Sequence, residues 1–153
     1  VKRGFILDIL KDVKAYVDGA WIAGSVGYGF VILNGSNVKA KRSGHVTEPP
    51  WTDSRQVGGE LLAVMNALRW CQDRKIKRIE VYYDYEGVRA WAEGIWKANK
   101  IITNDYRRFI CESKVSVSWN KVRSHSRDPL NDLADQLAKD GANGKDYYWE
   151  STL

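Results

Sequence analysis

The chain has little cysteine and no long apolar run, and each shortage excludes a class of protein. Its two cysteines, Cys71 and Cys111, are too few and too far apart for a disulfide framework or a zinc motif. Both fall in helical patterns, where a buried free thiol is expected. That fits a reducing compartment, so a cytoplasmic location is the expectation. No apolar stretch approaches the roughly 20 residues of a membrane-spanning helix, and no membrane partner is expected. Internal repeats and low-complexity tracts are missing. The opening also lacks the charge-then-apolar-then-small layout of a signal peptide. A start at Val1 in place of Met suits an excised or processed piece.

What is present describes an ordinary folded domain. The 153 residues are 44% hydrophobic and 28% charged, enough apolar surface for a core without staples and too much for disorder. A net charge of +5 and a pI near 9.2 suit an anionic partner without identifying one.

Periodicity orders the elements. Residues 1–12 carry an apolar group (Phe5, Ile6, Leu7, Ile9, Leu10) at helical spacing, read as a short packing helix or the end of a linker. Val13 to Asp18 alternates as a strand, with Val13, Ala15 and Val17 on one face and Gly19 as a turn. Tyr28 to Leu33 is a buried strand, joined through the hairpin signal Asn34-Gly35-Ser36-Asn37 to a third strand, Val38 to Val46. Pro49-Pro50 enforces an extended loop. A helix follows from Val57 to Cys71, with Val57, Leu61, Val64, Met65 and Leu68 as its stripe. Arg78 to Asp84 alternates again. Short helices are expected near Glu86 to Trp91 and Asn104 to Glu112, then a fifth strand from Val115 to Val122. Asp128-Pro129 starts a last helix that ends near Gly141. Three strands followed by strand–helix crossovers indicate an α/β domain, with a mixed five-stranded sheet and helices on its faces.

Four carboxylates stand out against this frame. Asp18 and Asp84 end two strands; if these strands are parallel neighbours, both side chains emerge at the carboxyl edge where open sheets bind ligands. Taken alone, each is more often a turn residue. Glu60 lies on the helix stripe that faces the sheet, where an unpaired carboxylate is costly, and no basic residue shares that stripe. Its bland alternative is a glutamate near a helix start, favoured by the dipole. Asp135 flanks the apolar face of the last helix, and alone it reads as solvated. Together the four form an oxygen-only set suited to hard divalent ions, magnesium or manganese.

These residues sit within a recognisable pattern. Asp18-Gly19-Ala20 with Gly27-Tyr28-Gly29-Phe30-Val31, Arg55 to Leu61, Tyr82 to Gly87 with Trp91 and Trp96 to Lys100, and Val122 to His125 with Asn131, Ala134-Asp135 and Leu137-Ala138 occur in order. The sequence resembles the type 1 ribonucleases H over about Val13 to Ala142, and the branch whose members can follow a viroplasmin-like N-terminal domain. The resemblance implies a ribonuclease H-like fold with strand order 3-2-1-4-5. It implies a domain over 13–143, an N-terminal extension or linker over 1–12 and a C-terminal tail over 144–153. Asp18, Glu60, Asp84 and Asp135 fall on catalytic, metal-holding carboxylates, and His125 on an auxiliary histidine. The implied cofactor is two magnesium ions, with manganese able to substitute. The implied partner is an RNA–DNA hybrid, bound by a monomer and cut in its RNA strand to leave 3′-hydroxyl and 5′-phosphate ends.

Gly19, Ser54, Arg55, Gln56, Trp96, Lys97 and Asn131 are the expected substrate contacts. For Ser54 and Arg55 a solvated loop, and for Trp96 simple packing, are equally good readings. Departures from the family pattern are Tyr85, where a serine is common, Ser124 in place of glycine, and Gln56 in place of asparagine. The basic segment Gly94 to Thr103 is short, so an upstream hybrid-binding domain in the parent chain is a further expected source of affinity. Two other readings stay open. Related exonucleases usually pair Asp and Glu two apart on the first strand, which Asp18-Gly19-Ala20 does not. A non-catalytic hybrid-binding domain is the remaining alternative.

Overall fold

Strand alternation in the first third of the chain produces a meander, and helical stripes further along cover it. The computed structural model describes residues 10–123 and 127–152. In chain order the elements are β1 (Val13–Ile22), β2 (Ser25–Asn34), β3 (Asn37–Val46), α1 (Gln56–Asp73), β4 (Arg78–Tyr83), α2 (Gly87–Ala92), α3 (Ile101–Glu112), β5 (Ser116–Lys121), α4 (Pro129–Ala142) and β6 (Tyr147–Glu150). Strands β1, β2 and β3 pair antiparallel, while β4 lies parallel to both β1 and β5. The sheet order is β5-β4-β1-β2-β3-β6, which contains the expected 3-2-1-4-5.

Each face of the sheet has its own helical cover. Val13, Ala15 and Val17 of β1, with Ile79, Val81 and Tyr83 of β4, pack with Leu61, Val64 and Leu68 of α1. The alternate residues face the other way: Tyr16 joins Val31, Leu33, Ala134 and Leu137 beneath α4. Tyr16 also stacks on Tyr82 at 4.5 Å between ring centroids, a cross-strand aromatic pair that fixes the β1–β4 register. Asp128 caps α4 by accepting from the Leu130 N–H at 2.9 Å, with Pro129 at the first helical position, as its sequence indicates.

Three expectations change. First, β1 does not stop at Asp18 and Gly19 is not a turn: the strand runs on to Ile22, and the turn falls at Ala23 and Gly24, both at positive φ. Gly19 is needed inside the strand because a Cβ there would meet the Gln56 carbonyl oxygen at 2.2 Å and the Glu60 nitrogen at 2.4 Å. Second, the stretch 144–153 carries β6, which pairs antiparallel with β3 and is anchored by Arg42–Asp146 and Arg74–Glu150 ion pairs. Its Tyr-Tyr-Trp-Glu run is exposed throughout, so it lacks the in–out alternation that marks a strand in sequence. Third, Cys71 is buried but Cys111 is exposed on α3.

The early apolar group falls mostly outside the described residues; Leu10 packs against the main core. Among the described residues, no helix is long and apolar enough to cross a membrane.

Candidate active site

The parallel β1–β4 pairing matches Tyr16 with Tyr82. Two residues further on, the same register sets Asp18 opposite Asp84, beyond the end of β4. Alternation turns Asp18 toward α4, the face shared with Tyr16, while Gly19 faces α1. Because Gly19 has no side chain, the first turns of α1 lie directly on β1, and Glu60 is carried to the same sheet edge. Gly59 adds to this fit, since a Cβ there would stand 2.3 Å from the Gly27 carbonyl oxygen. Helix α4 brings Asp135 from the opposite face.

One carboxylate oxygen from each of Asp18, Glu60 and Asp84 falls within a set separated by no more than 4.8 Å. A cavity of about 400 Å³ is lined by these three with Asp135, Gln56, Gly19, Val57 and Tyr85. Thus all four expected carboxylates border one cavity.

Acidic groups are concentrated here, and among the described residues only Asp135 is paired with a basic side chain. Burial, then Asp84 and Asp135, pushes the Asp18 carboxyl up to about 8, against the opposing pull of the Gly19 N–H. That N–H donates to Asp18 Oδ1 at 2.9 Å, so Gly19 orients a carboxylate. Glu60 is only 3% exposed. Burial foremost, with Asp18 and Asp84 adding repulsion, raises its carboxyl well above the usual range. Its Oε2 is buried with no hydrogen-bond partner. An orphaned carboxylate oxygen facing two more carboxylates is unfavourable as a purely structural arrangement and fits a bound cation. Oxygen donors alone suit magnesium or manganese better than softer metals. Among the described residues, the one ion pair made by any of the four is Lys139 Nζ to Asp135 Oδ2 at 2.9 Å.

The expected substrate contacts divide. Gln56 opens α1 and lines the cavity. Arg55, just before it, is exposed and adopts φ 54°, a conformation that is costly for a side-chain-bearing residue and is often found at functional sites. Its guanidinium lies 4.7 Å from the Trp21 ring centroid, and Ser54 precedes it in a short 3-10 turn. Asn131 is buried one helical turn before Asp135 and does not line the cavity.

Trp96 and Lys97 are exposed in the segment between α2 and α3. Trp96 packs edge-on against Trp91 at 5.3 Å and Tyr85 at 6.2 Å and keeps part of its ring exposed. Tyr85 also borders the cavity, linking this aromatic cluster to the carboxylates. His125 lies outside the described residues. Sequence reasoning passed over Trp21 and Lys139. The i,i+4 spacing of Asp135 and Lys139 was a usable signal for the second, whereas an exposed strand tryptophan carries none.

The family model described as RNase H matches residues 10–143. The chain is 31% identical over 148 residues to a Ribonuclease H of Bradyrhizobium sp. strain ORS 278, covering 86% of this chain and 90% of that protein. It is 32% identical over 148 residues to one from Ralstonia nicotianae, covering 86% and 92%. Among solved structures, RNase H1 from the archaeon Halobacterium salinarum NRC-1 superposes with a TM-score of 0.71 at 22% identity, covering 87% of this chain and 98% of that one. LC11-RNase H1, isolated from compost by a metagenomic approach and solved in complex with an RNA/DNA hybrid, gives 0.72 at 19% identity, covering 87% and 98%. At these identities the two structures speak for the fold.

Proposed function

Since the chain belongs to the ribonuclease H family, we propose that it is an endonuclease hydrolysing the RNA strand of RNA–DNA hybrids, with 3′-hydroxyl and 5′-phosphate products. The observation that carries this reading is Glu60, a buried carboxylate with an orphaned oxygen facing Asp18 and Asp84. Stability alone does not favour such a group.

The donor set fits two magnesium ions, with manganese able to substitute. Asp18 would be shared, Asp135 would serve the ion on the side of the attacking water, and Glu60 and Asp84 the ion on the leaving-group side. When bound, such ions lower the pKa of water and offset charge on the entering and departing oxygens of an in-line displacement.

The protein's own residues orient and select. The Gly19 N–H holds Asp18 in place. Gln56, exposed at the start of α1 and bordering the cavity, has an amide that both donates to and accepts from a ribose 2′-hydroxyl, the group that separates RNA from DNA. Glu60 is a second acceptor for that hydroxyl. Arg55 and Ser54 supply phosphate contacts to the DNA strand, with the Arg55 guanidinium preset by Trp21. Trp96 and Lys97 extend the binding surface along that strand. His125, which precedes α4 in the sequence, assists turnover by moving a proton. The net charge of +5 draws the hybrid in through its phosphates.

The test is cleavage of a labelled RNA–DNA hybrid beside duplex DNA and duplex RNA, in magnesium, manganese, calcium and chelator. Cutting of the hybrid alone, in magnesium or manganese alone, is expected. Robust cleavage in chelator overturns the metal assignment, and trimming of single-stranded DNA from its 3′ end overturns the substrate assignment.

A further inference from the structure

Lys139 stands one helical turn beyond Asp135 on α4, with its ammonium 2.9 Å from Asp135 Oδ2. Its pKa is raised first by that hydrogen bond and the Asp135 charge, and also by Asp18. The ammonium therefore pairs with the carboxylate that α4 brings to the cavity. Asp18, Glu60 and Asp84 make no ion pair with any described residue; their mutual repulsion is relieved by protonation or by a cation from solution. The two sides of the cavity are thus electrostatically unlike. One is an uncompensated triad, and the other already holds a positive charge.

We propose that Lys139 is a resident counter-ion that lowers metal affinity on the Asp18–Asp135 side, so that the triad fills first and the Asp135 side fills last. The inference rests on the metal reading of the site above and adds to it an order of occupancy set by one side chain. A cation approaching Asp135 must displace the ammonium or share the carboxylate with it. Even when displaced, Lys139 is tethered four residues away and keeps repelling a dication from a few ångströms. Because its side chain is about half exposed, water and salt screen that repulsion. A unit charge and a dication roughly 6 Å apart, at water-like dielectric and moderate salt, correspond to about a threefold to tenfold change in affinity. Lys139 is therefore a positioning residue acting through Asp135.

Manganese binding to the full chain, without nucleic acid, tests this by calorimetric titration and by loss of the free-ion paramagnetic signal. Lys139→Met should tighten the weaker manganese-binding step about threefold to tenfold, while Lys139→Arg should bind as the wild type does. In chelator, Lys139→Met should melt below wild type, and manganese should raise its melting temperature by more than it raises that of wild type. Equal or weaker manganese affinity in Lys139→Met, or an equal manganese-induced rise, overturns the counter-ion role. Absence of manganese binding in wild type and variant alike overturns the metal reading itself, a separate and distinguishable result.

Discussion

Replacing Asp18 by asparagine should stabilise the metal-free protein at alkaline pH and remove most of its response to magnesium. Burial and the neighbouring carboxylates raise the Asp18 carboxyl from 3.8 to about 8. Between those values the folded protein keeps a proton that the unfolded chain has lost. Stability is then fully present below about pH 4 and declines as pH rises through about 8. An interval of about four pH units, at roughly 1.4 kcal/mol each, sets a ceiling of about 6 kcal/mol. Water entry and side-chain relaxation in an open cavity offset part of this, leaving about 2–4 kcal/mol. Asparagine keeps the shape and the oxygen that accepts the Gly19 N–H but carries no charge, so it escapes the decline. In chelator the two proteins should melt closest together below about pH 4, where Asp18 is protonated in the folded and the unfolded chain alike. Near about pH 9 the variant should melt roughly 4–16 °C higher, at 2–4 °C per kcal/mol for a domain of this size. Magnesium should reverse the order by stabilising the wild type alone. Scanning calorimetry at the two pH values, with and without magnesium, decides it. A wild type whose difference from the variant does not change with pH in chelator would refute the reasoning.

Further outcomes follow from the same geometry. Asp84→Asn or Asp135→Asn should abolish hybrid cleavage while leaving hybrid binding nearly intact, because affinity comes mainly from phosphate contacts; turnover above about a tenth of wild type in either variant counts against the carboxylate roles. Gly19→Ala places a Cβ at 2.2 Å from the Gln56 carbonyl oxygen, so urea denaturation should show a loss of about 3 kcal/mol, and a wild-type midpoint would contradict the close approach of α1 to β1. His125→Ala should slow steady-state turnover by roughly one to two orders of magnitude, the scale of general acid–base assistance, with hybrid affinity and metal requirement unchanged; turnover equal to wild type would assign it to solvent.

Much of the chain's design was legible in one dimension. The apolar stripe of α1, the alternation in β4 and the Asp128-Pro129 helix start each record locally which face meets solvent, so the element order and most of the sheet could be read from periodicity. Glu60 was legible for the same reason, as a carboxylate on a stripe that should be apolar. The tertiary structure decided what depends on contacts between distant segments. Gly19 reads locally as a turn, yet it lies within β1 because Gln56 and Glu60 of α1 press against it. Strand β6 exposes every side chain and carries no period, so only pairing with β3 reveals it. Cys111 lies in a helical pattern, but among the described residues nothing covers it on α3. The charge of the site is likewise a property of assembly. Asp18, Glu60 and Asp84 are ordinary acids until sheet register and helix packing place them within a few ångströms of one another. Local sequence records preference for water; close approach, and the electrostatics it creates, belongs to pairs of residues that only folding brings together.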